Sequence, residues 1–460
     1  MIFYSLFLFF LLLSSQPLKA EPHCLLPDVY PYAPKSTYRG VHANRENNNR
    51  IACDGPAQVK PSYLALKGNV VFQPLSFSAD GKKVYATILG TESCNLYEVT
   101  LSSGATRCFG LYDQTVGFGT VEVDSAGDLY FVEGRTDPVT GVQSTNVYSL
   151  TSEGITRWKV NLPHRVGGGV HFTKDGYIAQ IHPDGVVTLI TRESGSFVAD
   201  FNLPISLGLH PSSPDSTVFT TNTIASTINN QLLSILDSQE GAILVALNIE
   251  KSGTLTLAWR AILGGTSSNT SPSVTADGHY IAVGDNQAGL YLVDGFACNA
   301  TPSNCAPLWR YGLATSLLGN VAIDESGTVY AWNQTPNPDI ADVFAIRTVV
   351  GSNGRAQPLQ AWFANFPGNS VWTSAITVLN NYLLGTVSTL NGLKFTHELV
   401  AIDQRNGKVL WKIPTDDDSI NSVAFGPDGA LYVPFLSFID RLYPRDRAFS
   451  GGIRRYVPSL

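Results

Sequence analysis

Charge is scarce in this sequence: Asp, Glu, Lys and Arg together make up 15% of 460 residues, with a formal net charge of −7. No basic block is present to neutralise phosphates, so nothing in the sequence supports nucleic-acid binding or attraction to an anionic membrane surface. There is no CxxC pair and no Cys/His array at zinc spacing, so a structural zinc site is not written here. No GxSxG elbow occurs, and the lone cysteines have no activating partner evident in the sequence. Gly167-Gly168-Gly169 and Gly264-Gly265 do not open helices and are not phosphate loops. Beyond the first residues no apolar run reaches membrane-spanning length, and the polar Arg454-Arg455-Tyr456-Val457-Pro458-Ser459-Leu460 excludes a lipid-anchor tail.

What is present begins with an export signal. Ile2 to Leu13 is apolar apart from Ser5, too short to span a bilayer and of the right length for a signal core. A polar break follows, and Leu18-Lys19-Ala20 ends in a small residue, so cleavage is expected after Ala20. The competing reading is an uncleaved anchor, although anchors have longer apolar runs. Cys24 follows Glu21-Pro22-His23 rather than the small residues of a lipobox. All six cysteines (Cys24, Cys53, Cys94, Cys108, Cys298 and Cys305) lie beyond the signal. An even number in an oxidising compartment points to disulfides, and proximity in sequence suggests Cys24–Cys53, Cys94–Cys108 and Cys298–Cys305. The expected location is extracellular or periplasmic. Sequons at Asn269, Asn299 and Asn333 are near chance in so Asn-rich a chain and do not settle the host type.

The mature sequence is periodic. Apolar alternation runs into a glycine turn and out again at Gly81, Gly127, Gly176, Gly278, Gly327 and Gly429, each flanked by strand-like residues. Asn229-Asn230 and Asn380-Asn381 stand in two further copies, where asparagine tolerates the left-handed conformation such turns need. Successive turn centres are 46 to 54 residues apart. A second hairpin follows each, ending in an aromatic residue: Trp158, Trp259, Trp309, Trp362 and Trp411, with Phe109, Phe201 and Tyr456 expected in the other three positions. Two hairpins per period make a four-stranded antiparallel sheet, and a sheet that cannot bury both faces alone is stabilised by radial stacking in a closed ring. The expected fold is all-β: an eight-bladed β-propeller of four-stranded antiparallel blades over residues 70–460. Residues 1–20 are the signal and residues 21–69 a loop-rich extension containing the polar run Asn44 to Arg50. Part of that extension, Ser62 to Lys67, is expected to add a closing strand to the last blade.

Ala401-Ile402-Asp403, Gly407-Lys408 and Trp411 resemble the repeat of the pyrroloquinoline-quinone-type propellers, the quinoprotein alcohol-dehydrogenase-like superfamily. That superfamily holds both quinone-dependent dehydrogenases and non-catalytic binding scaffolds, so the resemblance implies the fold more than an activity. An enzyme of the family is expected to hold Ca²⁺ with Glu, Asn and Asp, to use a catalytic Asp, and to stack a Trp on the quinone. Many also carry a disulfide between adjacent cysteines. No Cys-Cys pair exists here, and only Trp332 and Trp372 stand outside the repeat positions.

Two constellations carry possible chemistry. His164, His182 and His210 fall on loops of one face of blade three, and His171 begins its inner strand. They offer either a general base or metal ligands, or are ordinary loop histidines. Asp416-Asp417-Asp418 lies on the same face and reads either as a Ca²⁺ site or, since neighbours in an extended segment point to opposite sides, as a solvated acidic loop. The leading expectation is a secreted, non-catalytic propeller that offers one face to a protein or glycan partner, with no cofactor. The alternative is an extracellular enzyme: a dehydrogenase using quinone with Ca²⁺, or a lyase or hydrolase using the histidine-bearing face.

Overall fold

The computed structural model describes residues 24, 41–71, 73–89, 93–113, 119–211, 218–220, 222–265, 268, 270–287, 289–312, 320–332, 343–392, 394–436 and 451–459. The expected signal and its cleavage site lie outside them. Eight antiparallel sheets stand around one axis, each built from an inner, second, third and outer strand. The chain is an eight-bladed propeller, as the period predicts. Every blade has an inner strand of only two residues at the axis, from Ser76–Phe77 in blade one to Ala424–Phe425 in blade eight. In blades one and seven a second short piece, Val70–Val71 and Ser370–Trp372, extends that inner edge.

The turns after the inner strands do what their residue types require. Gly81, Gly127, Gly176, Gly278, Gly327 and Gly429 have φ between +69° and +86°, and Asn230 takes the same region at +60°. Asn381 does not. Its turn closes with Leu379 N–H donating to Tyr382 O, and its carboxamide instead holds Gly55 on both sides, accepting from Gly55 N at 2.9 Å and donating to Gly55 O at 3.0 Å. The asparagine is a clamp for the extension, and not the turn substitute expected from its place in the repeat.

Between the third and outer strands of every blade the register slips, and in every blade but the third an outer-strand aromatic sits beside the bulge. In blade three the bulge falls at Val198, which covers Gly253 of the next blade, and the expected Phe201 lies further along the strand opposite Val187. These aromatics join neighbouring blades. Trp158 and Trp362 lie over Gly195 and Gly407 of the next blade, and their indole N–H groups donate to Arg192 O at 3.1 Å and Gln404 O at 2.7 Å. Phe109 covers Gly154 in the same way. In blade eight the expected Tyr456 is on the third strand, Gly452–Pro458. The outer-strand aromatic is Tyr63, over Gly104 and bonded to Leu101 O at 2.9 Å. The repeat pattern pointed to Tyr456 because the outer strand of that blade comes from the other end of the chain.

That strand, Val59–Ala65, pairs with Gly452–Pro458 and closes the ring. It starts three residues before the expected Ser62. The disulfides Cys24–Cys53, Cys94–Cys108 and Cys298–Cys305 are all formed. Among the described residues no helix is long and apolar enough to cross a membrane.

The glycine-over-aromatic contact is testable by one pair of substitutions. Gly407 and Gly354 both have φ of +74°, but a Cβ on Gly407 would lie 2.6 Å from Trp362, whereas one on Gly354 meets nothing. Gly354→Ala should cost about 1 kcal/mol of left-handed strain, and Gly407→Ala that plus roughly 1–3 kcal/mol of overpacking. Urea unfolding of the two variants measures the difference, and equal losses would refute the contact.

Candidate functional site

On the face of blade three the structure brings two of the four histidines together. His164 follows the outer strand of blade two, Thr156–Leu162, where Thr145 Oγ1 holds its carbonyl at 2.9 Å. His182 and Asp184 occupy the turn between Tyr177–Ile181 and Val186–Thr191, closed by Gly185 at φ +78°. Thr188 and Asp200 are direct partners across the third and outer strands. The two imidazoles are 4.7 Å apart between centroids. His164 Nδ1 is 2.9 Å from Asp184 and its Nε2 3.4 Å from Asp200. A neutral imidazole has one N–H, so both contacts are hydrogen bonds only when His164 carries a proton on each nitrogen.

The inner half of this network is also short of a proton. His182 Nδ1 must donate to Arg165 O at 2.9 Å, because a carbonyl only accepts. Its Nε2 then faces Thr188 Oγ1 at 3.1 Å, while that hydroxyl donates to Asp200 at 2.6 Å. One hydroxyl proton stands between two acceptors. Burial holds His182 down to about 4, so the neutral ring is the resident form and the network has room for an incoming proton donor. His164 remains partly accessible, with 17% side-chain exposure, at the outer end.

The other two histidines go elsewhere. His210 is exposed, and its carbonyl accepts from Gln239 N at 3.0 Å. His171 is fully buried on the inner strand of blade three, facing the axis, with neither ring nitrogen hydrogen-bonded. The preceding glycines are there for close passage: a Cβ on Gly167 would lie 2.1 Å from Ile181 O and one on Gly168 2.4 Å from Thr223.

The axis itself is filled by the chain. Residues 42–51 curl inside the ring, with left-handed φ at His42, Ala43, Asn47 and Asn49. Successive carbonyls accept from the inner strands of successive blades: Arg45 O from Ser226 N, Glu46 O from Val274 N, Asn48 O from Ile323 N and Asn49 O from Val378 N, at 2.8 to 3.3 Å. The three asparagine side chains are read as well. Asn47 Nδ2 donates to Ile224 O at 2.7 Å, Asn48 Nδ2 to Val274 O at 2.9 Å, and Asn49 Oδ1 accepts from Ser422 at 3.0 Å. Arg50 pairs with Glu325 beside the turn of blade six. Ala43 packs with the apolar core of blades eight and one. His42 lies near His171, and both rings are held neutral by burial, down to about 4 and about 3. The sequence marks this stretch only as a polar run in the extension. Its asparagines tolerate left-handed backbone, but nothing in the spacing reveals that they enter the ring.

Asp416-Asp417-Asp418 is not a solvated loop. Asp416 makes a bidentate pair with Arg454 at 2.6 and 2.7 Å. Asp417 and Asp418 are buried, with Asp418 N–H donating to Asp417 Oδ1 at 2.9 Å. Among the described residues no three His, Cys, Asp or Glu side chains converge to hold a metal. Trp332 and Trp372, outside the repeat positions, are buried in one apolar cluster with Trp362. Residues 42–51 lie along the axis against the inner strands of blades four to seven; Asn47 Nδ2, Asn48 Nδ2 and Asn49 Oδ1 are bonded to the blades, while Asn47 Oδ1 is buried without a hydrogen-bond partner.

No sequence-family profile and no curated protein matches the chain. Solved structures do. A quinohemoprotein alcohol dehydrogenase from Comamonas testosteroni aligns over 92% of this chain and 81% of its own, with TM-score 0.60 and 11% identity. BamB from Moraxella catarrhalis aligns over 87% and 99%, with TM-score 0.56 and 13% identity. A europium-containing methanol dehydrogenase aligns over 92% and 98%, with TM-score 0.56 and 10% identity. The chain has the fold of the quinoprotein and BamB propellers, and at these identities the likeness extends to the fold alone.

The buried imidazoles give a pH dependence with a definite sign. His171 and His182 have native values of about 3 and about 4, against 6.5 when free. Below pH 6.5 the unfolded chain takes up protons that the native chain does not. Stability therefore falls as pH drops from 6.5 toward 4, each residue adding a slope of up to about 1.4 kcal/mol per pH unit. Denaturant unfolding between pH 7 and 5 should show a shallower fall for His171→Gln than for the wild type; an unchanged slope would place His171 in solvent.

Proposed function

We propose that this chain is an exported, non-catalytic binding propeller that offers the blade-three face to a protein or glycan partner. The observation that carries the reading is the occupied axis: residues 42–51 lie along it, bonded to the inner strands of blades four to seven. Three disulfides and the lack of a membrane-length apolar helix among the described residues support an extracellular or periplasmic location. The partly accessible His164, Asp184 and Asp200 supply the donors and acceptors that a polar partner would meet.

The expected result of adding pyrroloquinoline quinone and Ca²⁺ is no quenching of tryptophan fluorescence and no dye-linked alcohol oxidation. Uptake of quinone would overturn the reading. One observation favours the second reading, a lyase or hydrolase: His164 bracketed by two carboxylates beside a neutral His182 is an arrangement able to move a proton. Under it, an activity found on polysaccharide or ester substrates should drop by roughly 10²-fold or more in His164→Ala. If the face is a docking site, no such activity is found and His164→Ala weakens partner binding.

A further inference from the structure

The segment at the axis is held in the way a bound peptide is held. Four of its carbonyls take backbone donors from the inner strands of blades four, five, six and seven, a mode of recognition that reads main chain and not side chain. Asn47 O accepts in addition from Ser273 Oγ at 2.9 Å and from the Asn320 carboxamide. Laid over this is a side-chain code. The ring offers Ile224 O and Thr223 Oγ1 to Asn47, Val274 O to Asn48, Ser422 to Asn49 and Glu325 to Arg50. Counted with the backbone donors, these partners come from five blades and lie up to 373 residues away in sequence, so the ring presents the site independently of the segment that fills it.

We propose that the axial channel is a peptide-binding site specific for a curled Asn-Asn-Asn-Arg segment, occupied in this structure by the chain's own residues 47–50 and open to the same sequence offered in trans. The covalent connection makes the resident segment a strong competitor, because tethering sets a high effective concentration. A peptide in trans therefore binds in proportion to the fraction of molecules whose own segment has left.

The test removes the competitor and leaves the blades unchanged. Asn47 and Asn49 have φ of +53° and +54°, which proline cannot adopt, so the full-length Asn47→Pro/Asn49→Pro variant cannot seat its own segment. A fluorescent synthetic peptide of residues 42–52 should bind this variant saturably, at least about 10-fold tighter than it binds the wild type, and should raise the melting temperature of the variant. A peptide with alanine in place of the three asparagines should bind about 10-fold more weakly. The proposal is overturned if the folded variant takes up no peptide, or takes up the alanine peptide equally well. Should the double variant fail to fold, full-length Asn48→Ala keeps both left-handed residues and loses the bond to Val274 O, together with the bonds its Oδ1 accepts from Asn44 Nδ2 and Arg50 N. It should still take up the peptide more tightly than the wild type, and failure to do so overturns the proposal equally.

Discussion

Eight sheets stand edge-on around a common axis, and each innermost strand brings backbone donors there with no further strand to accept them. An unpaired edge in a confined channel is a cost, since a buried N–H without a partner forfeits about 1–3 kcal/mol. Water can meet that need in an open channel. Here the chain meets it with its own carbonyls, one blade after another, and the left-handed residues of the segment give it the curvature to do so. The rest of the interior follows from this arrangement: the segment lies along the axis, and His171 is buried close to its His42.

Much of the ring was legible because its packing repeats. A left-handed turn calls for glycine, and an aromatic over the next blade's backbone calls for a glycine beneath it, so these residues recur at a fixed interval whatever surrounds them. The exceptions are places where the partner is not in the repeat. Asn381 serves Gly55 and not its own turn; Tyr63 takes the outer aromatic position of blade eight because that strand arrives from the other end of the chain. Residues 42–51 were the least legible, since their partners lie on the inner strands of distant blades and nothing in the spacing of the segment points to them.

The histidines show the same limit from the other side. Strand alternation placed three of them on one face, and that placement holds for His164 and His182, which meet. Sequence spacing says which end of a blade a residue occupies but not how deep it lies or which neighbour it reaches, and so His171 and His210 were grouped with them without being part of the cluster. Asp416, Asp417 and Asp418 divide in a comparable way, one paired with an arginine and two drawn inward, because adjacent residues of an extended segment point to opposite sides.

Blade eight joins Val59–Ala65 to Gly452–Pro458, so a sheet that closes the circle has to wait for residues almost 400 positions apart in the sequence to meet. During synthesis the earlier blades can stack on one another as they emerge, but the first and last remain an open pair of edges until the end. For that interval the nascent chain is a curved stack prone to pairing with its neighbours, and its safe assembly depends on how quickly one short strand finds its slot.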